Sequence, residues 1–360
     1  MASVPALDME KAQHFAFKMV GDIIAQNMGT LTVIGDQLGL FQTLASTGPA
    51  TSEELANRAD INERYAREWL AAMACHRYLA FDNQTKRFTL PPEHAPALID
   101  RDSPLYFMGL IVGLPTTYSN VDLLTEAFKH GGGVPQERFG ADWRCGLERF
   151  TRTFFHNNLV QEWIPAMPDV DAALRVGGTV ADVGSGNGQA LLYLAKGYPN
   201  ASFVGYDIFP PSVETAREYA AAAGLADRVR FEVCDVTKGI PARYDLITTF
   251  DVVHDMPFPR PALKEIRRAL NPGGTYFVQE INFSGDLQEN IDHPLGVGAF
   301  GYSASVNYCM TQALAVGGEG TGTCMGLQKI REMATEAGFT HFRQIEIPNN
   351  PFGLFYEMRA

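Results

Sequence analysis

Thr179-Val-Ala-Asp-Val-Gly-Ser-Gly-Asn-Gly188 holds more information about this chain's fold than any other run of its length. Its apolar first half, with Val180 and Val183, has the composition of a buried strand, and three glycines follow in close succession. Glycine lets the backbone turn sharply and approach a ligand without a Cβ in the way. The next residues, Gln189 to Lys196, have the composition of a helix. A strand, a glycine loop and a helix in this order predict the first unit of a nucleotide-binding α/β fold.

The spacing of these glycines bears on the kind of ligand. Dinucleotide-binding loops follow the pattern G-x-G-x-x-G/A, in which the third small residue lets helix and strand pack closely. Here that third position is Gln189, and Gly184, Gly186 and Gly188 follow the pattern G-x-G-x-G instead. This spacing favours a nucleoside without a pyrophosphate, such as S-adenosylmethionine, over a dinucleotide.

Three aspartates occur where successive predicted strands end. Asp182 precedes the glycine loop, Asp207 ends the strand that begins at Ala201, and Asp235 ends the strand that begins at Val229. A carboxylate after the second strand can accept hydrogen bonds from both ribose hydroxyls, and one after the third can accept from the adenine amine. Any single aspartate at such a place is equally consistent with a helix cap or a solvated loop. Three of them at the ends of successive strands around a glycine loop favour a nucleoside site.

Together these motifs resemble the class I S-adenosylmethionine-dependent methyltransferases from about residue 179 to residue 360. The resemblance implies an α/β fold with a Rossmann-like sheet, mostly parallel with an antiparallel last strand, preceded by an α-helical winged-helix domain. It also implies S-adenosylmethionine as the cofactor and assigns a role in binding it to a set of residues. These are Asp182, Gly184 and Gly186 in the first motif, Asp207 at the ribose, Asp235 and Val236 at the adenine, and Phe250 near the adenosine.

The composition indicates a soluble globular protein. The chain has 360 residues, of which 46% are hydrophobic and 19% are charged. A net charge of −12 argues against a nucleic-acid partner, because the phosphates would repel the protein. The five cysteines are scattered without C-x-x-C spacing, and the sequence has neither a signal peptide nor a membrane-spanning run. We therefore expect a cytoplasmic protein that does not bind nucleic acid or membranes.

The N-terminal part has the pattern of a winged helix. Thr51 to Glu54 is a capping box that begins a short helix, and a second helix is predicted from Asn62 to His76. Two strand-like runs follow around the turn Asp82-Asn83. Between Thr51 and Leu90 six basic residues balance six acidic ones, which leaves no surplus charge for a DNA duplex. This half of the chain resembles the dimerisation domain of the small-molecule O-methyltransferases, which implies a homodimer.

The rest of the chain completes a predicted domain organisation. Helical periodicity runs from about Met9 to Leu44 with an interruption at Gly29, and its apolar face can pack on its own domain or on a second subunit. Residues 102–169 are rich in aromatic side chains. The resemblance implies that this stretch forms the lid of an acceptor pocket, and residues 169–178 are predicted to be a linker. We predict a dimerisation domain over residues 1–100, a helical linker and lid over 101–170, and a cofactor-binding domain over 171–360.

Asp251-Val-Val-His-Asp-Met256 follows the fourth predicted strand and supplies the candidate catalytic residues. Methyl transfer to a hydroxyl requires the acceptor to be aligned and its proton to be removed. This run is similar to the His-Asp pair after the fourth strand of plant O-methyltransferases, in which the histidine deprotonates the acceptor. The tryptophan that usually follows the pair is replaced by Met256. We therefore predict methyl transfer to a hydroxyl of a small organic acceptor, with His254 as general base and Asp255 beside it.

Two alternative functions remain open from the sequence. An insertion over about residues 284–325 contains Asp292-His-Pro-Leu-Gly296, a run found in a bacterial and fungal group of winged-helix methyltransferases. His254, Asp255 and His293 have the donor set of a two-histidine, one-carboxylate metal site. By resemblance to the 2-oxo acid C-methyltransferases, a divalent or iron ion there would chelate the substrate and stabilise an enolate. The other alternative is a cofactor-sensing regulator whose winged helix binds DNA.

Overall fold

The structure is a computed structural model that describes residues 7–348, 350 and 352–360. The chain divides into two compact units. The first contains the described residues up to Pro115 together with Cys145–Phe150, and the second contains Thr116–Arg144 and Thr151–Ala360. None of the helices in the described ranges has the length and apolar character needed to cross a bilayer.

The first unit begins with a 29-residue helix, α1 (Met9–Gln37), whose N-terminus is capped by the side chain of Asp8. The predicted interruption at Gly29 is wrong, because the helix continues through it. A single glycine costs a helix only about 1 kcal/mol, which the rest of a long helix offsets. The break falls instead at Gly39, which adopts a φ of +65° between α1 and the next helix.

The remaining elements of this unit include a winged helix. They are α2 (Leu40–Thr47), α3 (Ser52–Ala59), α4 (Glu63–Cys75), the antiparallel strands β1 (Ala80–Asp82) and β2 (Arg87–Thr89), α5 (Ala95–Leu98) and α6 (Met108–Val112). The predicted capping box is confirmed: the Thr51 hydroxyl accepts the Glu54 amide at 3.3 Å, and the Glu54 carboxylate accepts the Thr51 amide at 3.0 Å. Phe41 and Trp69 meet edge to face in the core, with ring centroids 5.1 Å apart.

Several arginines of the winged helix are already engaged with glutamates of the same unit. The ion pairs are Arg64 with Glu68, Arg67 with Glu63, and Arg87 with Glu54. Guanidinium groups held in this way have less charge to offer the phosphates of a duplex.

Further helices lie in the chain between α6 and the first strand of the larger sheet. These segments are α7 (Leu114–Ser119), α8 (Val121–His130), a 3₁₀ turn (Gln136–Phe139), α9 (Gly140–Phe154), a π-helical stretch (Phe155–Trp163) and α10 (Pro168–Val176). The predicted linker over residues 169–178 is wrong, because most of it is α10. Val170 and Leu174 lie on one face of that helix and are buried in the core.

The sheet of the second unit has seven strands in the order β5-β4-β3-β6-β7-β9-β8. Their bounds are β3 (Thr179–Val183), β4 (Ser202–Asp207), β5 (Val229–Val233), β6 (Tyr244–Phe250), β7 (Leu270–Ile281), β8 (His341–Ile345) and β9 (Gly353–Arg359). The strands from β3 to β7 pair in parallel, whereas β9 is antiparallel to both β7 and β8. The predicted fold class is confirmed.

Connecting helices and the predicted insertion complete this unit. They are α11 (Gln189–Gly197), α12 (Pro210–Ala222), α13 (Pro259–Arg268), α14 (Leu287–Ile291), α15 (Gly298–Ala304), a π-helical turn (Ser305–Cys309), α16 (Met310–Ala315) and α17 (Gly326–Ala337), with a 3₁₀ turn at Val236–Lys238. Residues 271–274 lie inside β7, where the strand is irregular. The pairing with β6 jumps there from Tyr244↔Leu270 to Leu246↔Thr275, and Gly273 has a φ of +79°.

The strand order defines where a ligand fits. From β3 the chain builds outward through β4 and β5, and it then returns to add β6 and β7 on the other side of β3. The carboxyl ends of β3 and β6 therefore flank the topological switch point, the crevice in which open α/β sheets bind their ligands.

Candidate functional site

The glycine loop after β3 is closely packed on one side and open on the other. Gly184, Gly186 and Gly188 have φ values of +73°, +52° and +81°, a region that favours glycine. A Cβ on Gly184 would lie 2.4 Å from a methyl carbon of Val252. At Gly186 a Cβ would meet no atom of the described residues within 4 Å. The loop thus packs tightly under Gly184 and leaves space beside Gly186 for a ligand.

Asp207, the last residue of β4, holds this loop in place. Its Oδ2 accepts the amide of Gly186 and its Oδ1 accepts the amide of Phe209, both at 2.8 Å. Burial raises the pKa of Asp207, and the two amides act in the opposite direction. Each carboxylate oxygen has a second lone pair. Asp207 can therefore accept further hydrogen bonds from a ligand on the open side of the loop.

Asp235 follows β5 and has contacts of its own. Its Oδ1 accepts the amide and the hydroxyl of Thr237 at 3.1 and 2.6 Å, and Lys238 forms an ion pair with it at 3.1 Å. The hydroxyl of Thr237 lowers the pKa of this carboxylate more than any other contact. Asp235 thus caps a 3₁₀ turn, which is the alternative left open by the sequence. Adenine contacts by Asp235 and the adjacent buried Val236 stay a prediction.

Asp182 and Phe250 lie deeper in the sheet. Asp182 is 3% exposed, and its Oδ1 accepts the hydroxyl of Thr248 at 2.7 Å. Burial raises the pKa of Asp182 to about 7. Phe250 packs on Phe155 and Trp163, with ring centroids 5.3 and 5.9 Å away. These contacts place Phe250 in the aromatic core, and its contact with adenosine stays a prediction.

His254 lies in the loop after β6 and is 1% exposed. Its Nδ1 is 2.5 Å from Oε2 of Glu280, which lies near the end of β7. Its Nε2 is 3.2 Å from Oδ1 of Asp255. The other oxygen of Glu280 accepts the amide of Val253 at 2.8 Å. Glu280 is thereby fixed by the backbone, and it orients the imidazole with Nδ1 toward β7.

The charges around His254 decide its protonation state. Burial by itself lowers the pKa of His254, but Glu280 and Asp255 outweigh burial and raise the pKa well above 6.5. The two carboxylates therefore favour the protonated imidazole in this arrangement. The imidazole can act as a base only after a change in its surroundings favours the neutral form.

The predicted metal triad is not assembled. In the described part of the chain, two groups of side chains around His254 could hold a metal ion, and neither group contains His293. These groups are His254 with Asp255 and Cys309, and His254 with Asp251 and Glu280. The Nδ1 atom of His293 instead accepts the amide of Leu295 at 3.2 Å, so a local turn in the insertion holds this ring.

Aromatic side chains from α9, the preceding 3₁₀ turn and the insertion meet beside the loop that follows β6. The ring of Tyr308 lies 4.8 Å from Phe139 and 5.0 Å from Trp143, measured between centroids. Burial raises the pKa of Tyr308, and Asp255 and Asp207 raise it further through their charges. The phenol is thus within electrostatic reach of both Asp255 in the loop after β6 and Asp207 at the glycine loop.

Three residues of this site were not found from the sequence. Glu280 lies near the end of β7, and Asp251 directly follows β6. Asp207 and Asp235 were identified because an acidic residue stands where a strand ends. The same criterion would have identified Glu280 and Asp251. Cys309 completes one of the groups around His254 from an insertion, and no motif indicated its position. Burial raises the pKa of Cys309 to about 12, so it is a thiol at neutral pH.

Comparisons with known proteins agree with this geometry. Residues 174–309 match the family described as Methyltransferase domain, and residues 26–100 match the Rv2258c-like winged HTH domain. With the sheet and glycine loop described above, the chain belongs to the class I S-adenosylmethionine-dependent methyltransferases that carry an N-terminal winged helix.

Among curated proteins the chain is similar to N,N-dimethyltransferase OxyT of Streptomyces rimosus, with 27% identity over 68% of this chain and 72% of that protein. It is 36% identical to the 2-heptyl-1-hydroxyquinolin-4(1H)-one methyltransferase of Mycobacteroides abscessus, over 29% of this chain and 46% of that protein.

Solved structures resemble the whole fold. Human N-acetylserotonin methyltransferase, solved in complex with S-adenosylmethionine, has a TM-score of 0.70 at 17% identity and covers all of both chains. An O-methyltransferase family protein from Burkholderia thailandensis has a TM-score of 0.66 at 17% identity, covering 96% of this chain and 98% of that one.

Proposed function

We propose that this methyltransferase transfers the methyl group of S-adenosylmethionine to a hydroxyl of a small organic acceptor, with His254 as the general base. The observation that carries this proposal is the buried pair of His254 and Glu280, beside the crevice where β3 and β6 end. S-adenosylmethionine supplies the methyl group as an electrophile. The protein's task is then to align the acceptor and take its proton.

The described residues fit this cofactor. The open side of the loop at Gly186 gives a nucleoside room to approach the backbone, and Asp207 has lone pairs left for two ribose hydroxyls. Asp235 and Val236, one strand further along, would then meet the adenine. Asp182, Gly184 and Phe250 support the site from its core side, through the contacts given above.

Glu280 decides which nitrogen of His254 works as the base. A carboxylate held by a backbone amide keeps the Nδ1 proton of the imidazole, so Nε2 is the atom that can take a proton from the acceptor. Asp255, 3.2 Å from Nε2, stabilises the imidazolium that results. Tyr308, Trp143 and Phe139 supply an apolar wall against which a flat acceptor can pack.

The raised pKa of His254 leads to a measurable expectation. A sulfonium carries a positive charge and a thioether does not, so S-adenosylmethionine should destabilise the imidazolium more than S-adenosylhomocysteine does. We expect the pKa of His254 to be lower in the complex with S-adenosylmethionine. Nuclear magnetic resonance titration of the protein with labelled histidine measures both values, and the spectrum of the variant His254→Gln assigns the signal.

Equal pKa values in the two complexes would contradict a position of His254 beside the sulfonium. The exposed His341 is the internal control, because a general effect of ligand binding on the titration would shift it as well. As a consequence for turnover, activity should rise with pH until the imidazole has lost its proton.

An acceptor screen tests the reaction itself. The protein with S-adenosylmethionine is incubated with phenols, aliphatic alcohols, amines and 2-oxo acids, and methylated products are identified by mass spectrometry. Methylation of hydroxyls supports the proposal. Methylation restricted to amines, as the name of OxyT would suggest, or to the carbon of 2-oxo acids would overturn the choice of acceptor group. Neither the metal-dependent reaction nor the DNA-binding regulator is favoured by the contacts described above.

We further propose that the protein is a homodimer joined through α1. One apolar stretch of this helix is 48–72% exposed. It consists of Phe15, Phe17, Met19, Val20, Ile23 and Ile24. Side chains this apolar are rarely left in water along a whole helix face, which supports contact with a second copy. The organisation into a dimerisation domain, a lid and a cofactor-binding domain remains part of this proposal.

The double variant Val20→Asp/Ile24→Asp should be monomeric, because the two positions share a face of α1 and would bury two carboxylates in the interface. Light scattering after size-exclusion chromatography should show about half the wild-type mass. Lys11→Asp, near the start of the same helix, should keep the wild-type mass. A monomeric wild-type protein at micromolar concentration would refute the dimer.

A further inference from the structure

Cys309 is a thiol beside His254 to which the proposed mechanism gives no role. It is 7% exposed and is the last residue of the π-helical turn at Ser305–Cys309. This turn interrupts an otherwise continuous helix that runs from α15 to α16. π-Helical turns inside α-helices are frequent at functional sites. The turn therefore points to a role for the side chains that it carries.

The possible metal-binding atoms of His254, Asp255 and Cys309 lie together. The imidazole nitrogen, the carboxylate oxygen and the thiol sulfur are all within 4.8 Å of one another. Nε2 of His254 is 3.2 Å from Oδ1 of Asp255. Two ligands that bind zinc tetrahedrally at 2.0–2.1 Å are about 3.3 Å apart, so this pair already has the spacing of zinc ligands. The side chain of Asp255 is 20% exposed, which lets an ion reach the group from solvent.

The other nitrogen of His254 has the partner that a metal-bound histidine requires. Nδ1 is 2.5 Å from Oε2 of Glu280, whose second oxygen accepts the amide of Val253. Histidines that bind metals almost always donate their second N–H to such an acceptor, which fixes the ring and raises its basicity. The alternative group, with Asp251 and Glu280, lies at Nδ1 and would break this hydrogen bond. The contacts therefore favour an ion at Nε2.

The charge around His254 also favours a divalent cation. Asp251, Asp255 and Glu280 each place a carboxylate oxygen within 3.7 Å of a ring nitrogen of His254. Three carboxylates thus share one imidazole in a largely buried place. Buried charges in proteins are paired or bind metal ions. A divalent cation would balance the negative charge that a single imidazolium leaves over.

The backbone keeps Cys309 close to the loop that carries His254. The amide of Gly322, in the insertion, donates to the carbonyl of His254 at 3.1 Å. A Cβ on Gly322 would lie 2.3 Å from the hydroxyl oxygen of Ser305, at the start of the π-helical turn. The same glycine therefore contacts both the loop after β6 and the turn that ends at Cys309.

We propose that His254, Asp255 and Cys309 form a binding site for Zn²⁺. Imidazole nitrogen, thiolate sulfur and carboxylate oxygen are the ligands of zinc in proteins, and three of them leave a fourth position for water. Binding displaces the proton of the Cys309 thiol. If the proposed function is correct, the ion occupies the nitrogen that takes the acceptor's proton, so bound zinc inhibits methyl transfer.

Cobalt absorption spectroscopy tests the site without an enzyme assay. Co²⁺ binds to the same ligands as zinc, and a thiolate bound to it gives a sulfur-to-cobalt charge-transfer band in the near ultraviolet. Wild-type protein should develop this band with Co²⁺ and lose it when Zn²⁺ is added. Cys309→Ala should lack the band. It should bind Zn²⁺ at least about 10- to 100-fold more weakly, because even the loss of a group that only supports a ligand costs that much.

Cys324→Ala is the matched control. Cys324 lies in the same insertion and is affected by the charge of His254, but it is in neither of the two groups of possible ligands. This variant should keep the cobalt band. Cys309→Ser keeps the size of the side chain and should also lack the band, so the comparison stands even if the alanine variant does not fold.

Inhibition is measured separately, with an acceptor found in the screen. Zn²⁺ should inhibit the wild-type protein over the concentrations at which it displaces Co²⁺, and a chelator should restore the activity. For Cys309→Ala, each activity is compared with that of the same variant without zinc. Half-inhibition of this variant should require at least about 10-fold more Zn²⁺.

The results separate the metal site from the proposed function. A wild-type protein without the cobalt band, a band that persists in both Cys309 variants, or a band that disappears in Cys324→Ala would overturn the site. A band that depends on Cys309, together with turnover that Zn²⁺ does not change, would overturn the inhibition. It would also exclude Nε2 of His254 as the base, while the metal site itself would stand.

Discussion

Replacing His254 by alanine should lower kcat/KM for a hydroxyl acceptor about 100- to 10,000-fold, the usual contribution of a general base. The loss should lie in kcat, because in the proposed mechanism Nε2 of His254 takes the acceptor's proton and does not bind the cofactor. Affinity for S-adenosylhomocysteine, measured by calorimetry, should stay within a few-fold of wild type.

The variant leaves Glu280 buried without its partner, which lowers stability. His254→Ala/Glu280→Gln removes that unpaired charge and should recover thermal stability, while its activity remains as low as that of the single variant. The matched control is His341→Ala on β8, where the side chain is exposed. Full activity in a folded His254→Ala variant would exclude His254 as the base.

Replacing Asp207 by alanine should weaken cofactor binding about 30- to 1,000-fold, or roughly 2–4 kcal/mol, because two hydrogen bonds to a charged acceptor are lost. Part of the effect comes from the protein itself. The amides of Gly186 and Phe209 lose their acceptor, so the glycine loop no longer has a fixed position before the ligand arrives. Calorimetry with S-adenosylhomocysteine gives the change directly.

A second ligand isolates the ribose contact. Wild-type protein should bind 5′-methylthioadenosine more tightly than its 2′,3′-dideoxy analogue, and Asp207→Ala should bind the two alike. Asp227→Ala, an exposed aspartate before β5, should behave as wild type. If Asp207→Ala still prefers the ligand with both hydroxyls, the ribose is bound elsewhere.

The parts of this fold that the sequence predicted are those with strong local signals. The glycine loop, the strand ends and the capping box at Thr51 each depend on a few neighbouring residues. The failures at Gly29 and at residues 169–178 arose where tertiary packing outweighs local preference. Whether a helix continues through a glycine, and whether one forms after a proline, both depend on what the helix packs against.

Within the candidate site, too, residues with a local sequence signal were predicted, and residues brought in by tertiary structure were not. His254 was found because it follows a predicted strand, whereas its partner Glu280 comes from a different strand. The mistaken choice of His293 as a third ligand has the same origin. Position in the chain after β7 does not determine which side chain of an insertion reaches the crevice, and there Cys309 lies beside His254 instead.

The position of β9 between β7 and β8 constrains the order in which the sheet can be completed. During synthesis β8 leaves the ribosome before β9, yet its described backbone pairing is with β9 only. Residues 341–345 therefore cannot join the sheet until residues 353–359 have also emerged. Until then β7 presents an open edge, and unpaired edges of this kind attract other chains. In a newly made chain, β7 therefore keeps an edge open to aggregation until β9 has left the ribosome.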